Sequence, residues 1–592
     1  MDVTASANGR ARVPPHRGGA RVLLDGTTLT VGELLALADG EAVPEVAPEA
    51  RDRARRSWLT AQRLAASGRL YGRGTGVGAQ RSVPVEEHDE AAHGLRLLRS
   101  HAGGAGALLP ARQVRAMLAV RANQLLAGGS GIQPAFVDAL ADALRLGVHP
   151  AVNEYGGIGT GDLTALAQTG LTLIGERPWT RPEPPRRARG AGPDAPASTS
   201  ADGSHGEDPA APVQFVVVPG PGPGPGPGPG ADPGSAPAPA PAGRRLDPRP
   251  EPPREPRPAT VTPGAPTGPP RTPAPVSGTP APVVLQAGDA LALLSSNALA
   301  LGQAALAQGE LDVLLRAAHA VAALSLAAVS GSPEAYAAPV HALRPYPGAA
   351  RAAGEVRRLL GWADRPPPRR GGRIQDPFGF RTFPQVHGCV LDACERLREV
   401  VEVEINCPSE NPLMDAADAR AYHHGGFFAA PLGLALDGVV LALLQSAQLS
   451  TARLAALGDP GLTGLPVFLA TGPVSSSGTM ILEYSANSAL AELRSCAAPA
   501  SAGHAVLSRG LEEAASFAGQ AARQTLRATE AYAVVLGCEL VSAVRALRLH
   551  PDPPRVAALA VATAALPAET RDRPLTDDVT AAVRLLPVLA DL

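Results

Sequence analysis

The chain has 592 residues, 45% of them hydrophobic, and a formal net charge of −2. That length suffices for a large core or for more than one domain, and so balanced a charge points away from nucleic acid and anionic membrane surfaces as partners. It holds no lysine, so chemistry that needs a lysine Schiff base, whether PLP-dependent or aldolase-type, is excluded.

Residues 1–20 are polar and read as a disordered N-terminus without the apolar core of a signal peptide. Arg21–Gly26 gives a short strand and turn. Val31–Ala38 reads as a helix capped by Thr30, and Pro48–Ser67 as a second, amphipathic helix. Tyr71 then leads into a loop with glycines at 72, 74, 76 and 78. A phenol serves as a base only when neighbours hold its proton ready, since its ordinary pKa is about 10. Ser100-His101-Ala102-Gly103 follows, and Phe136–Leu146 reads as a helix. The stretch Asn153–Leu163, N-E-Y-G-G-I-G-T-G-D-L, is dense in glycine. Such a loop turns sharply and lets backbone approach something closely. Asp162 is placed to cap the helix Thr164–Gly175 that follows.

Residues 177–282 change character to Pro, Gly, Arg, Ala and Ser, including an alternating Pro-Gly run at 219–230. Such a segment buries too little apolar surface to offset its chain entropy, so it reads as a disordered insertion within one domain. It separates an N-terminal part, 21–176, from a helical part, 283–592. Within the latter, Ala287–Ser330, Leu391–Ile405, Leu432–Leu454 and Ala518–Leu549 read as helices, Ala287–Ser330 as two, and Glu512 taken alone is as readily a solvated helix glutamate as a pocket acid. Aromatic residues are only 3% and Ala and Leu dominate, which favours helix over sheet. Charged and turn residues interrupt the apolar stretches, so no membrane span is expected. The cysteines at 389, 394, 407, 496 and 538 show no CxxC pair and no metal spacing. They read as reduced thiols in a cytoplasm. His423-His424 lacks a spaced carboxylate, so no metal site is expected.

Taken in order, these stretches resemble the histidine and aromatic amino acid ammonia-lyases. The resemblance runs through Leu70–Gly78, Ser100–Gly103, His149–Gln168 and Asn406–Met414, and is most specific at Arg373–Gly388, R-I-Q-D-P-F-G-F-R-T-F-P-Q-V-H-G. It implies a mainly α protein with a long antiparallel central helix bundle, a homotetramer, and active sites built from several subunits. It implies Tyr71 as the base that takes the substrate β-proton and Arg381 as the fork on the substrate carboxylate, which suits a planar guanidinium. His101 and Glu512 would lie in the substrate pocket. In that family an Ala-Ser-Gly triplet cyclises into a methylidene-imidazolone (MIO) electrophile. Here Gly159-Thr160-Gly161 stands in its place, one residue shorter and without serine. Threonine can dehydrate as serine does, leaving an ethylidene. The asparagine that contacts the cofactor aligns with Ser295, in the run Ser295-Ser296-Asn297, and a tyrosine near it is Phe378. An asparagine and a histidine of another turn give way to Gly426 and Phe428.

The retained residues surround the substrate, and the altered ones cluster around the electrophile. The first expectation is elimination of ammonia from an aromatic or imidazole amino acid, or an aminomutase reaction, with a MIO-like group at Gly159-Thr160-Gly161. The alternatives are an enzyme without MIO that keeps Tyr71 and Arg381 for another elimination or cyclisation, and a non-catalytic subunit that assembles with a true lyase.

Overall fold

Runs of alanine and leucine, which lose little side-chain freedom in a helix, build most of this protein. The computed structural model describes residues 19–68, 70–181, 278–367 and 373–592, which fall in one compact unit. Strand β1 (Ala20–Leu24) lies parallel to β2 (Ala42–Val46), with α1 (Val31–Asp39) between them in sequence. Thr30 and Glu33 close a reciprocal capping box on α1. After α2 (Pro48–Ser67) come α3 (Glu90–His101), β3 (Ala105–Leu108), α4 (Ala111–Ala127) and α5 (Ala135–Leu146). They are followed by β4 (His149–Pro150), β5 (Asn153–Tyr155), α6 (Leu163–Leu173) and β6 (Trp179–Thr180). β3 pairs with β5 and β4 with β6, both antiparallel.

The insertion expected at 177–282 lies mostly outside the described residues. Its edges do not: β6 pairs with β4, and Arg181 donates to the carbonyl of Gly278 at 3.1 Å. The two ends of the excursion therefore meet on the folded unit.

The second part holds α7 (Asp289–Leu294), α8 (Ala298–Ala328), α9 (Ala338–Ala342), α10 (Pro347–Leu360), α11 (Phe378–Arg381) and α12 (Phe383–Glu404). A hairpin of β7 (Leu413–Asp415) and β8 (Arg420–Tyr422) precedes α13 (Ala430–Leu457) and α14 (Pro460–Thr463). The chain ends with α15 (Met480–Cys496), α16 (Ala518–Leu549), α17 (Ala557–Ala565) and α18 (Thr576–Ala590). Helices α8, α12, α13, α15 and α16 pack together as a bundle. The fold is mainly α, as expected. α12 starts at Phe383, earlier than the expected Leu391, because Pro384 sits in its first turn, where a missing N–H is harmless.

α8 is apolar nearly all round and buried along most of its length. Asp289–Ala328 and Ala430–Leu457 are long and apolar enough to cross a membrane, contrary to the expectation that charge would break every such stretch. The charges in α13 are spent inside the protein instead. Asp437 accepts from the amides of Ala500 (3.0 Å) and Ser501 (2.9 Å). Arg453 forks onto Glu539 of α16 at 2.6 and 2.8 Å, and Ser325 of α8 donates to the same carboxylate at 2.7 Å. A buried charge pair of this kind is tolerated because every oxygen has a partner.

Candidate active site

A cavity of about 420 Å³ opens where the glycine loop of 153–163 meets the first turns of the bundle. Five of the residues nominated from sequence line it: Tyr71, His101, Thr160, Ser295 and Glu512. They arrive from five separate stretches, so the fold alone brings them together.

Tyr71 enters from the loop after α2. Gly72 takes a left-handed turn (φ 74°), and seven residues after the tyrosine the amide of Gly78 donates to Tyr71 Oη at 2.8 Å. The phenol oxygen is thus fixed as an acceptor, and its own hydrogen stays available to the cavity. The His423 ring stands edge-on to it, with centroids 6.1 Å apart. His101 is the last residue of α3. Its Nδ1 lies 3.0 Å from the Leu97 carbonyl, an acceptor only, so Nδ1 carries a hydrogen. Glu512 sits in a loop, which sets aside the alternative of a solvated helix glutamate; the stretch pairs with Leu507, and Ser508 Oγ donates to Glu512 Oε1 at 3.3 Å.

The loop behind Thr160 is pinned on every side. The Ile158 carbonyl accepts from the amide of Phe517 (2.8 Å), and the Gly159 carbonyl accepts from Ser516 Oγ (2.9 Å) and the amide of Ala429 (3.3 Å). Gly161 N–H donates to Asn297 Oδ1 at 3.0 Å, and Asn297 Nδ2 donates to the Phe427 carbonyl at 2.5 Å. Gly159 has φ 84°, and a Cβ there would stand 2.0 Å from Ser516 Oγ. Position 159 therefore admits glycine alone.

Asp162 does not cap its own helix. Its carboxylate accepts the amide of Ala300 at 2.9 Å and so caps α8 instead, while its own amide donates to the Ser296 carbonyl at 2.7 Å. Burial pushes its carboxyl up to about 6, against the pull of the Ala300 and Leu299 amides. Behind Ser295, Arg121 donates to the carbonyls of Ala292 and Leu293 and pairs with buried Glu410 at 2.8 Å. Ser409 Oγ holds the Ser295 carbonyl at 2.9 Å.

Asn297, Asn411 and Phe427 were not nominated from sequence. Asn411 and Phe427 line the cavity, and Asn297 grips the loop. The signal for Asn297 was its place two residues after Ser295 in the aligned run.

Arg381 and Phe378 do not reach this cavity. Arg381 lines a separate one of about 970 Å³, beside Arg344 and Gln385. Its guanidinium lies 4.2 Å over the Phe378 ring, and its Nε is buried without a hydrogen-bond partner. Among the described residues, no group of three or more His, Cys, Asp or Glu side chains is placed to hold a metal ion.

A family model described as aromatic amino acid lyase matches residues 29–195 and 277–572. The histidine ammonia-lyase of Anaeromyxobacter dehalogenans is 31% identical over 574 residues, covering 95% of this chain and 98% of that protein. Among solved structures, the ergothioneine-degrading enzyme ergothionase from Treponema denticola superposes with a TM-score of 0.75 at 21% identity, over 97% of this chain and 100% of that one. Tyrosine aminomutase from Streptomyces globisporus gives a TM-score of 0.75 at 23% identity, over 96% and 97%.

Proposed function

Because this chain belongs to the aromatic amino acid lyase family, we propose that its cavity removes the amine from an aromatic or imidazole amino-acid-like substrate, with Tyr71 as base and Arg381 as carboxylate anchor. The observation that carries this reading is the convergence of Tyr71, His101, Thr160, Ser295 and Glu512 on one cavity. Tyr71 first gives its phenol proton to solvent through the cavity; as the phenolate, held by the Gly78 amide, its oxygen then takes the β-proton. The Glu512 carboxylate on the cavity wall is an acceptor for a ring N–H, which favours an imidazole. An aminomutase would use the same base and then return the amine to the neighbouring carbon.

The family's electrophile forms from a triplet whose position is held here by Gly159, Thr160 and Gly161. Their surroundings do not suit it. The ring would need the Gly161 nitrogen to bond the Gly159 carbonyl carbon, with loss of the carbonyl oxygen. That would strip Ser516 Oγ, the Ala429 amide and Asn297 Oδ1 of their partners on this loop. Each buried group so orphaned costs about 1–3 kcal/mol. The family's alanine Cβ would also collide with Ser516 Oγ. No step is therefore assigned to that group.

The protein acts as a homotetramer in this reading. The face of α13 that carries Leu434 (64% exposed), Gly438 and Leu441 (43% exposed) repeats at helical spacing and supports packing against another copy. The substrate anchor Arg381 would then reach the cavity of a neighbouring subunit. The five cysteines are thiols, which supports a cytoplasmic location.

The test is Tyr71→Phe. Aromatic and imidazole amino acids, with and without N-methylation, are followed by the absorbance of the unsaturated acid. We expect kcat to fall by about 10²–10⁴-fold with substrate binding retained, the range of a lost general base. Undiminished turnover would remove Tyr71 as base, and no turnover by the unaltered protein would favour the non-catalytic subunit.

A further inference from the structure

We infer that a cavity walled by α8, α10, α12 and the end of α18 is a second ligand site, which binds a free amino acid with an aliphatic side chain. The site goes beyond the elimination reading and does not depend on it. Its volume is about 240 Å³. It lies far from the glycine loop: His319, which lines it, is roughly 30 Å along α8 from Asn297, at about 1.5 Å per residue.

Three arginines line this cavity, and two of them are committed to the protein. Arg316 pairs with Asp312 at 3.0 Å and with Asp591 at 3.1 Å. Arg358 pairs with Glu355 at 2.7 Å and donates to the Leu592 carbonyl at 2.7 Å. Arg351, exposed on α10, makes no hydrogen bond or ion pair among the described residues. A free guanidinium on a cavity wall offers its fork to a carboxylate.

The same wall holds acceptors in want of a donor. His319 is 4% exposed, and its Nε2 is buried without a hydrogen-bond partner. Nδ1 lies 3.2 Å from the Arg316 carbonyl, which only accepts, so Nδ1 carries a hydrogen. Burial holds this ring down at about 4 and favours its neutral form, in which Nε2 has a lone pair to offer. A buried acceptor left unpaired is costly, and an N–H from a ligand relieves it. Glu355 supplies the matching charge: both contacts from Arg358 fall on Oε2, and Oε1 has no partner among the described residues. Leu359, Leu391 and Leu589 make the apolar part of the wall. The site thus offers a guanidinium for a carboxylate, a carboxylate and an imidazole nitrogen for an ammonium, and leucines for a hydrocarbon side chain. Its volume falls below the about 300–1,000 Å³ of ordinary ligand pockets, which suits an occupant as small as an amino acid.

The full-length protein is titrated by calorimetry with three probes. They are L-leucine, 4-methylpentanoate, which lacks its amine, and 3-methylbutylamine, which lacks its carboxylate. The expected result is saturable binding of leucine, with each analogue weaker by about 10-fold or more, since each forfeits a charge-assisted contact. Arg351→Met should weaken leucine binding by about the same factor, and its exposed side chain makes no bond that the fold needs. Three results would each overturn the inference: leucine that does not bind, an analogue that binds as tightly as leucine, and leucine binding that Arg351→Met leaves unchanged. The last would place leucine elsewhere on the protein. The comparison of analogues uses the unaltered protein, so it decides independently of how the variant folds. None of these outcomes touches the elimination reading.

Discussion

Position 159 shows how tightly single residues are constrained here. An alanine would have to adopt a left-handed φ of 84° and place its Cβ 2.0 Å from Ser516 Oγ. Gly159→Ala should therefore lower stability by about 2 kcal/mol or more, from backbone strain and overpacking together. Ser516→Ala removes the clashing oxygen, so the double variant should lose less than the two singles added. Urea midpoints of the three variants check this, and strict additivity would mean that the two residues do not meet. The same loop shows what sequence could reveal. Tyr71, His101 and Glu512 were legible because their neighbours keep recognisable motifs. Asn297 was harder, since the asparagine sits two places after the aligned Ser295 and only the fold shows it reaching Gly161. Asp162 was read as the cap of its own helix, and chain order gave no hint that α8, beginning 136 residues later in sequence, would come to its carboxylate (residues 162 and 298).

Helices were the easiest elements to read, because long Ala/Leu runs carry their own propensity and need no distant partner to be recognised. Pro48–Ser67 and Ala518–Leu549 fall where the pattern put them. Glu512, which taken alone could equally have been a solvated helix glutamate, lies in a segment that folds back onto Leu507. Polar groups buried between helices are invisible at this level. His387 of α12 lies between Ser446 of α13 (3.1 Å) and the Leu315 carbonyl of α8 (3.1 Å), and its ring stands 4.7 Å from that of His319. Burial holds His319 down at about 4 and His387 well below its usual range, His319 and nearby arginines adding to the effect on His387. Burial thus favours the neutral form of both rings in the folded protein. Between pH 6.5 and 4 the unfolded chain therefore binds protons that the folded chain refuses. Stability is complete above 6.5 and is lost as pH falls towards 4, by about 3 kcal/mol for His319 alone at about 1.4 kcal/mol per unit. His319→Gln should flatten that part of the profile relative to the unaltered protein. Denaturant midpoints taken from pH 7 to 4 would show it, and parallel profiles would mean that His319 titrates normally in the fold.

At the scale of the molecule, the residue most specific in sequence is the one a single chain leaves out of its own cavity. Arg381 belongs to the longest motif match, yet it lines a different cavity, with a buried Nε that has no hydrogen-bond partner. A buried guanidinium N–H without an acceptor is costly, which is the ground on which the proposed function gives this half-buried side chain the substrate carboxylate. Sequence order carries no information about which copy a residue serves, so the proposed division of base and anchor between copies follows only from what the resemblance implies. It yields a genetic test. Tyr71→Phe and Arg381→Met should each abolish turnover when expressed alone. If one copy supplies the base and another the anchor, co-expressed variants will form mixed oligomers in which some cavities meet an intact Tyr71 and an intact Arg381. Those mixtures should regain a measurable part of the activity, while size-exclusion profiles stay unchanged. If both residues serve the same chain, no mixture holds a complete site, and co-expression will stay as inactive as either variant alone.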